Sequence, residues 1–503
     1  MPGQLRGLEE LHARFGRLSW QAVVEPAMVL ARDGFAVTAL LERELDLQGQ
    51  GGLGGEVPPP PLARMLSRDG DGKTWYREGD TMRRPEYAGT LRAVMEGRAD
   101  ALYGGPIAAA IARDVQEAGG VITEADLAGY RPILRDPLVA RDVGGFTLVG
   151  APPPSSGGAA VLGAARFLAG YADSPASFSE TVTRHRLVEA CRHVFGVRMA
   201  MADPATSSDD AHRAALDLIR GPLIAELRNR TSDSGVLSLS KYGGDEWNQL
   251  EDEYEPKDRK GSEGWRAGEG RRGLLDRSDF LGETHLSVVD GDRNAVSITS
   301  TIGSQFGSKV ASPTTGIIFN DEMDYYDSSG RPEKHDLLPT PDNNMAPGKR
   351  SMSSMSPTLV FRNDEDGRAG GNGDGIDEEN DLGRLFMVLG GSGGPKIITA
   401  VLQVFVNHAL LGMPLYDSVI HPRLHEQLLF HGTLATGYDQ SALLQGPVIE
   451  VSNTTRGALK RRGRNTLVPM ENSGAVQAIA VDLETDLLTA VSDPRKVGSP
   501  AGY

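Results

Sequence analysis

Three short stretches of this 503-residue chain hold groups that could do chemistry. Glu283, Thr284 and His285 open an alternating segment directly after a long polar stretch, placing a carboxylate, a hydroxyl and an imidazole side by side. Ser353 and Ser354 lie in the loop GKRSMSSMSP at residues 348–357. Gly393 and Gly394 stand between a strand-like segment and an apolar helix, where bare backbone N–H groups suit an anion. Each feature also has a plainer reading. A threonine at a strand start is ordinarily a strand residue, and paired serines in a loop cap or turn. A glycine pair ahead of a helix ordinarily relieves a backbone problem. A phosphate loop is set aside because the Gly-Lys-Ser/Thr ending is absent. The one cysteine, Cys191, allows no intrachain disulfide and reads as a small core residue of a helix.

The elements that must position these groups follow from periodicity. Residues 5–15 and 20–33 carry apolar side chains at helical spacing, and Gly34 ends the second helix. Residues 48–61 form a Gly- and Pro-rich loop, and further helices are expected over 90–97 and 106–118. Thr123 and Asp126 resemble a capping box with Asp in place of Glu. Residues 137–148 read as a strand, 152–158 as a rigid loop, and 159–168 and 181–201 as helices. Residues 228–283 are polar and Gly-rich, with little periodicity, and read as a mobile linker between two halves. A hairpin follows, with strands on either side of the turn at Gly291. Strands are expected at 316–319, 357–361, 385–389, 477–481 and 487–491, with a buried helix over 397–411 that Gly412 and Pro414 end.

Composition bounds the partners. The formal net charge is −16, which argues against nucleic acid or an anionic membrane surface as the main partner. Part of that charge is local: residues 362–383 hold eight acids and two bases. Their spacing does not match an EF-hand loop, so a solvated hairpin tip is expected there rather than a metal site. With 62 Gly, 30 Pro and 39% apolar residues, a turn-rich α/β fold with a sizeable core is favoured over a helical bundle. No apolar run reaches membrane-spanning length, and no leader pattern follows Met1.

In this order the features resemble the γ-glutamyltransferase family, also called γ-glutamyltranspeptidase or glutathione hydrolase. The matching segments run along most of the chain: VEPAMVLARDGF at 24–35, YGGPIA at 103–108, GGVITEADLAGY at 119–130 and PPPSSGG at 152–158. In the second half, THLSVVD at 284–290, FGS at 306–308, SSMSPT at 353–358, PRLH at 422–425, DPR at 493–495 and AGY at 501–503 keep the family order. The resemblance implies an N-terminal-nucleophile hydrolase fold, an αββα sandwich of two mainly antiparallel sheets between helical layers. It divides the chain into a large-subunit-like region (1–227), a processing linker (228–283) and a small-subunit-like catalytic region (284–503) with the acidic insert 363–383.

The resemblance also implies a mechanism without cofactor or metal. The precursor cuts itself ahead of a threonine, whose hydroxyl then attacks a γ-glutamyl amide while its own α-amino group, with a pKa near 8, accepts the proton. Glutamate passes to water or to an amine. Thr284 is the available candidate for that role, Thr301 would hold it, and the N–H groups of Gly393 and Gly394 would stabilise the oxyanion. Ser353 and Ser354 would bind the substrate α-carboxylate and Glu322 its α-amino group. Partners would be glutathione, related γ-glutamyl amides and an amino-acid or water acceptor, with a large/small-subunit heterodimer after self-cleavage. Members usually work outside the cytoplasm or at a membrane facing outward.

Several positions depart from the family pattern. The nucleophile usually stands two residues before the histidine, where this chain has Glu283; Thr284 is one residue before His285, on the opposite face of a strand. Gly303 replaces the asparagine two residues after the supporting threonine. Tyr325 stands where the family has the aspartate for the substrate amine, with Asp324 adjacent. The family's carboxylate-binding arginine lies ahead of the region that Met1 opens. Three readings stay open: an active γ-glutamyl enzyme with an incomplete N-terminus, a member that has lost catalysis, and an amidase or acylase with a changed substrate.

Overall fold

The computed structural model describes residues 1–49, 58–171, 180–248, 282–327, 337, 340–363, 382–428, 435–443, 446–464 and 466–502. The chain forms two compact units, one from Met1–Arg135 with Ser300–Asp321, the other from Asp136–Thr299 with Glu322–Tyr503.

The first unit is mainly helical. Ser19 caps the helix Trp20–Asp33 by accepting from Ala22 N at 3.2 Å, and Gly34, at φ 105°, ends it in a conformation that disfavours other residues. The expected capping box is present: Thr123 and Asp126 satisfy each other's backbone N–H at the start of the helix Glu124–Gly129. Two apolar clusters hold this unit, one around Leu45, Leu62 and Met82, the other around Tyr103, Ile111 and Leu127. The strand expected at 316–319 is reduced to a single bridge, Ala311 to Ile318, because the chain turns at Gly316 at φ 69°.

The second unit is built on an antiparallel six-stranded sheet. Its spatial order is Leu488–Ser492, Ala475–Val481, Arg384–Ser392, Thr358–Arg362, Phe146–Gly150 and Leu138–Ala140. The single strand expected over 137–148 is two strands, because Gly144 and Gly145 take positive φ and turn the chain back on itself. The helices Ser156–Ala169, Glu180–Arg198 and Lys396–Phe405 pack into the same core as this sheet. All ten residues of Lys396–Phe405 are buried, and each large aliphatic among them contributes about 1.5–3 kcal/mol by leaving water. A π-turn, Val406–Leu410, continues that helix to the expected stop.

The hairpin Glu283–Val289 and Ala295–Thr301 forms a separate two-stranded sheet. It is fastened to the larger sheet by Ser287 Oγ donating to Gln477 O at 3.1 Å and Ser297 Oγ donating to Leu389 O at 2.9 Å. Helices and antiparallel sheets thus make the α/β sandwich expected of the fold. The linker begins later than its composition suggests. Residues 228–248 finish the helix Gly221–Arg230 and form the short turns Leu239–Lys241 and Gly244–Trp247, because Leu239, Tyr242 and Trp247 are buried in the core. Residues 249–281 and most of the acidic insert lie outside the described residues; the strands flanking the insert pair antiparallel. Among the described residues no helix is long and apolar enough to cross a membrane.

Candidate active site

The strand Arg384–Ser392 delivers Gly393 and Gly394 to the start of the helix Lys396–Phe405. Gly393 has φ 133° and Gly394 φ 60°, and a Cβ at Gly393 would lie 2.8 Å from Gly474 Cα, so the turn requires glycine twice over. This geometry turns both N–H groups to one point. Glu283 Oε2 sits there, accepting from Gly393 N at 2.7 Å and Gly394 N at 3.1 Å. Two backbone donors on one anionic oxygen are the arrangement of an oxyanion hole.

Strand alternation decides which side chain reaches that point. Along Glu283–Val289 the first three residues are buried, exposed and buried. Glu283 is 6% exposed and faces the glycines; Thr284 is exposed and faces away. The expected nucleophile therefore does not meet the expected oxyanion donors in this chain, and the residue before it does. Lys496, which follows the motif DPR, donates to the Glu283 carbonyl and to Ser392 Oγ at 3.3 Å, tying the strand start to the end of the central strand.

His285 is buried beside this point. Its ring packs on Gly390, where a Cβ would come within 2.2 Å of it. Nδ1 lies 2.9 Å from Thr299 Oγ1 and Nε2 3.1 Å from Ser287 Oγ. The Ser287 proton goes to Gln477 O, so Ser287 must accept from His285, which assigns the proton to Nε2 and leaves Nδ1 accepting from Thr299. Burial holds the imidazole down to about 4, so it is neutral at physiological pH. With both nitrogens satisfied it serves as packing and support for the strand.

Ser353 and Ser354 are held by the segment that enters the helix Ser156–Ala169. Ser353 N donates to Pro154 O at 2.9 Å, while Ser156 N and Ser156 Oγ each donate to Ser353 O at 2.8 Å. Ser155 Oγ donates to Met355 O. The loop 152–158 and the serine loop therefore form one clamp. Its tightness explains Gly157, where a Cβ would lie 2.2 Å from Ser356 Oγ.

The remaining candidates divide between the two units. In the first, Thr301 Oγ1 accepts from Gly303 N at 2.8 Å. In the second, Glu322, Asp324 and Tyr325 form a 3-10 turn, not a strand, so parity does not govern which of them faces inward. Tyr325 is buried and Asp324 exposed. Asn343, which has no sequence signal, joins this turn to the serine loop. Its Nδ2 donates to Tyr325 O at 2.9 Å and Asp327 Oδ2 at 3.2 Å, and its Oδ1 accepts from Met352 N at 3.2 Å.

Two of the matched segments turn out to be structural. Arg423 of PRLH and Asp493 of DPR form a fully buried pair at 2.7 Å, and Arg495 bridges Asp493 at 3.1 Å and Asp439 at 2.6 Å. Burial pushes the Asp493 carboxyl up, but Arg423 and Arg495 outweigh it and hold it below the usual range. Among the described residues no cluster of His, Cys, Asp and Glu could hold a metal ion.

Comparison with known proteins bears on the family and the fold. Residues 1–503 match the family profile described as Gamma-glutamyltranspeptidase. The chain is 32% identical to "Glutathione hydrolase 2" of Arabidopsis thaliana over 512 aligned positions, covering 100% of this chain and 78% of that protein. It is 29% identical to "Glutathione hydrolase proenzyme" of Escherichia coli, covering 100% of this chain and 75% of that one. Among solved structures, a cephalosporin acylase from Bacillus halodurans superposes with a TM-score of 0.70 at 22% identity, covering 98% of this chain and 77% of its own, a likeness of fold.

Proposed function

Because this chain belongs to the gamma-glutamyltranspeptidase family, we propose that it works as a γ-glutamyl hydrolase/transferase on glutathione and related γ-glutamyl amides, with Thr284 as nucleophile after the chain is cut ahead of it. The family is enzymatic, and relatives of this chain carry the names glutathione hydrolase and proenzyme. The Thr284 hydroxyl attacks the γ-carbonyl carbon and its proton passes to the freed α-amine. The tetrahedral oxygen takes the N–H groups of Gly393 and Gly394, the amine leaves with the proton, and water or a second amine resolves the ester. Cutting yields two fragments that stay associated.

The observation that supports this most directly is the pair of N–H groups converging on one oxygen at 2.7 and 3.1 Å, donors already oriented for an anion. Thr284 reaches them only if the freed strand start shifts by one residue, which also withdraws Glu283. A second reading is favoured by the burial of Glu283 at those same donors and by the exposure of Thr284. In it, the chain keeps the fold and the carboxylate-binding groups but does not turn over.

A denaturing gel with N-terminal sequencing, run beside hydrolysis of a γ-glutamyl anilide, separates the two. A fragment beginning at Thr284 together with hydrolysis is expected. An intact chain without hydrolysis overturns the enzymatic reading and leaves the binding one.

A further inference from the structure

We propose that Arg198 is a positioning residue that makes the Ser354 hydroxyl a dedicated donor, so that the serine pair selects a carboxylate over a carboxamide on the substrate's α-carbon. This rests on reading Ser353 and Ser354 as the α-carboxylate subsite.

Arg198 ends the helix Glu180–Arg198 and is 2% exposed. Its Nε donates to Ser156 Oγ at 2.8 Å and its Nη2 to Ser354 Oγ at 3.2 Å. A guanidinium has five donors, no acceptor, and remains charged when buried. Both serines must therefore accept from it, and each must send its own proton elsewhere. Ser156 sends its proton to Ser353 O at 2.8 Å. Ser354 has no acceptor for its proton among the described residues.

Ser353 is in the same condition by a different route. Its Oγ accepts from Met355 N at 3.1 Å, and its proton also finds no acceptor among the described residues. The neighbouring hydroxyls differ: Ser356 donates to Ser354 O and Thr358 to Ser356 O, each at 3.0 Å. Two adjacent hydroxyls thus each accept one bond and keep their protons unspent. A carboxylate is acceptor-only and offers an oxygen to each of the two protons; a carboxamide offers one oxygen and sets its NH₂ against the second proton, which then goes unaccepted. The buried positive charge one bond behind Ser354 favours the anion further. A neutral residue at 198 would let the Ser354 hydroxyl rotate and lose this definition.

The test is calorimetric binding of L-glutamate and of L-isoglutamine, its α-carboxamide, to the intact protein and to Arg198→Lys, Arg198→Met, Ser354→Ala and the Arg198→Lys/Ser354→Ala double variant. Wild type is expected to favour glutamate by about tenfold or more, the scale of one hydrogen bond to a charged group. Arg198→Met is expected to erase that preference while leaving isoglutamine affinity unchanged. Arg198→Lys, which keeps the charge but not the fork, is expected to fall between, and to have no further effect once Ser354 is alanine. Thermal melting of each variant reports whether it is folded, and Arg198→Lys carries the test if Arg198→Met is not. A preference that survives both Arg198 variants, or an equal loss for both ligands, overturns the role of Arg198 alone. A wild type with no preference, or no binding, overturns the carboxylate-subsite reading and this proposal with it.

Discussion

Glu283 Oε2 lies 2.7 Å from Gly393 N, so the carboxylate of residue 283 occupies the position at which these amides would meet a developing oxyanion. The contact is buried, uses both glycine donors, and is set by the parity of a single strand. Whatever enters this site must first displace Glu283 or replace it.

Glu283→Ala is expected to free both donors. Two buried N–H groups then lack a partner, which costs about 1–3 kcal/mol of stability. An added anion restores it by binding the folded state alone. The expected result is a lower melting temperature without ligand and a larger upward shift with L-glutamate than wild type shows. No difference in the glutamate-dependent shift would mean that the carboxylate does not compete for the site.

Thr284→Ala is expected to abolish both chain cutting and γ-glutamyl-anilide hydrolysis, while Thr284→Ser retains a measurable share of each, because the chemistry asks only for a hydroxyl and a freed amine. A gel and a colorimetric rate read both effects. Wild-type activity that survives Thr284→Ala would remove Thr284 from the mechanism and direct attention to Glu283→Thr, which restores a hydroxyl on the inward face.

Much of this arrangement is legible in the sequence. Glycine pairs, a Ser-Ser loop and a strand start can be read locally, and the one-residue offset of Thr284 from His285 already implied the opposite face, since side-chain period in a strand is two. The hairpin at Gly144-Gly145 was missed because both of its strands are apolar and the break is conformational. The order of residues 228–248 was missed because three buried anchors, Leu239, Tyr242 and Trp247, are scattered through polar sequence without periodicity. Arg198, Asn343 and Lys496 carry no local signal at all. Their roles depend on partners as far as 213 positions away in the chain, as for Lys496 and Glu283.

Acid is expected to destabilise the protein well before its carboxylates titrate. Burial holds His285 and His185 down to about 4 and His193 to about 3. The unfolded chain has ordinary imidazoles near 6.5, so above that pH neither state is protonated and nothing is lost. As pH falls from about 6.5 towards 4, the unfolded chain takes up protons that the folded chain refuses, at about 1.4 kcal/mol per histidine per pH unit. Melting temperature should fall steadily between pH 6.5 and 5, and His285→Gln should flatten that slope by about a third. An unchanged slope would show that His285 titrates normally in the folded state.

Asn343→Ala tests whether the turn Glu322–Tyr325 and the serine loop act as one unit. The side chain is 1% exposed and is the shared partner of Tyr325 O, Asp327 Oδ2 and Met352 N. Truncation removes both donated bonds and the acceptor of the Met352 N–H, for an expected loss of about 2–4 kcal/mol. Because Met352 directly precedes Ser353, the loosened loop should also weaken ligand binding, seen as a raised KM or a poorer glutamate affinity with the glycine donors untouched. Asn343→Asp should be worse, since it loses both donated bonds and sets a second carboxylate 3.2 Å from Asp327. If chemical denaturation finds Asn343→Ala destabilised while glutamate affinity is unchanged, the two segments share a bond but not a function.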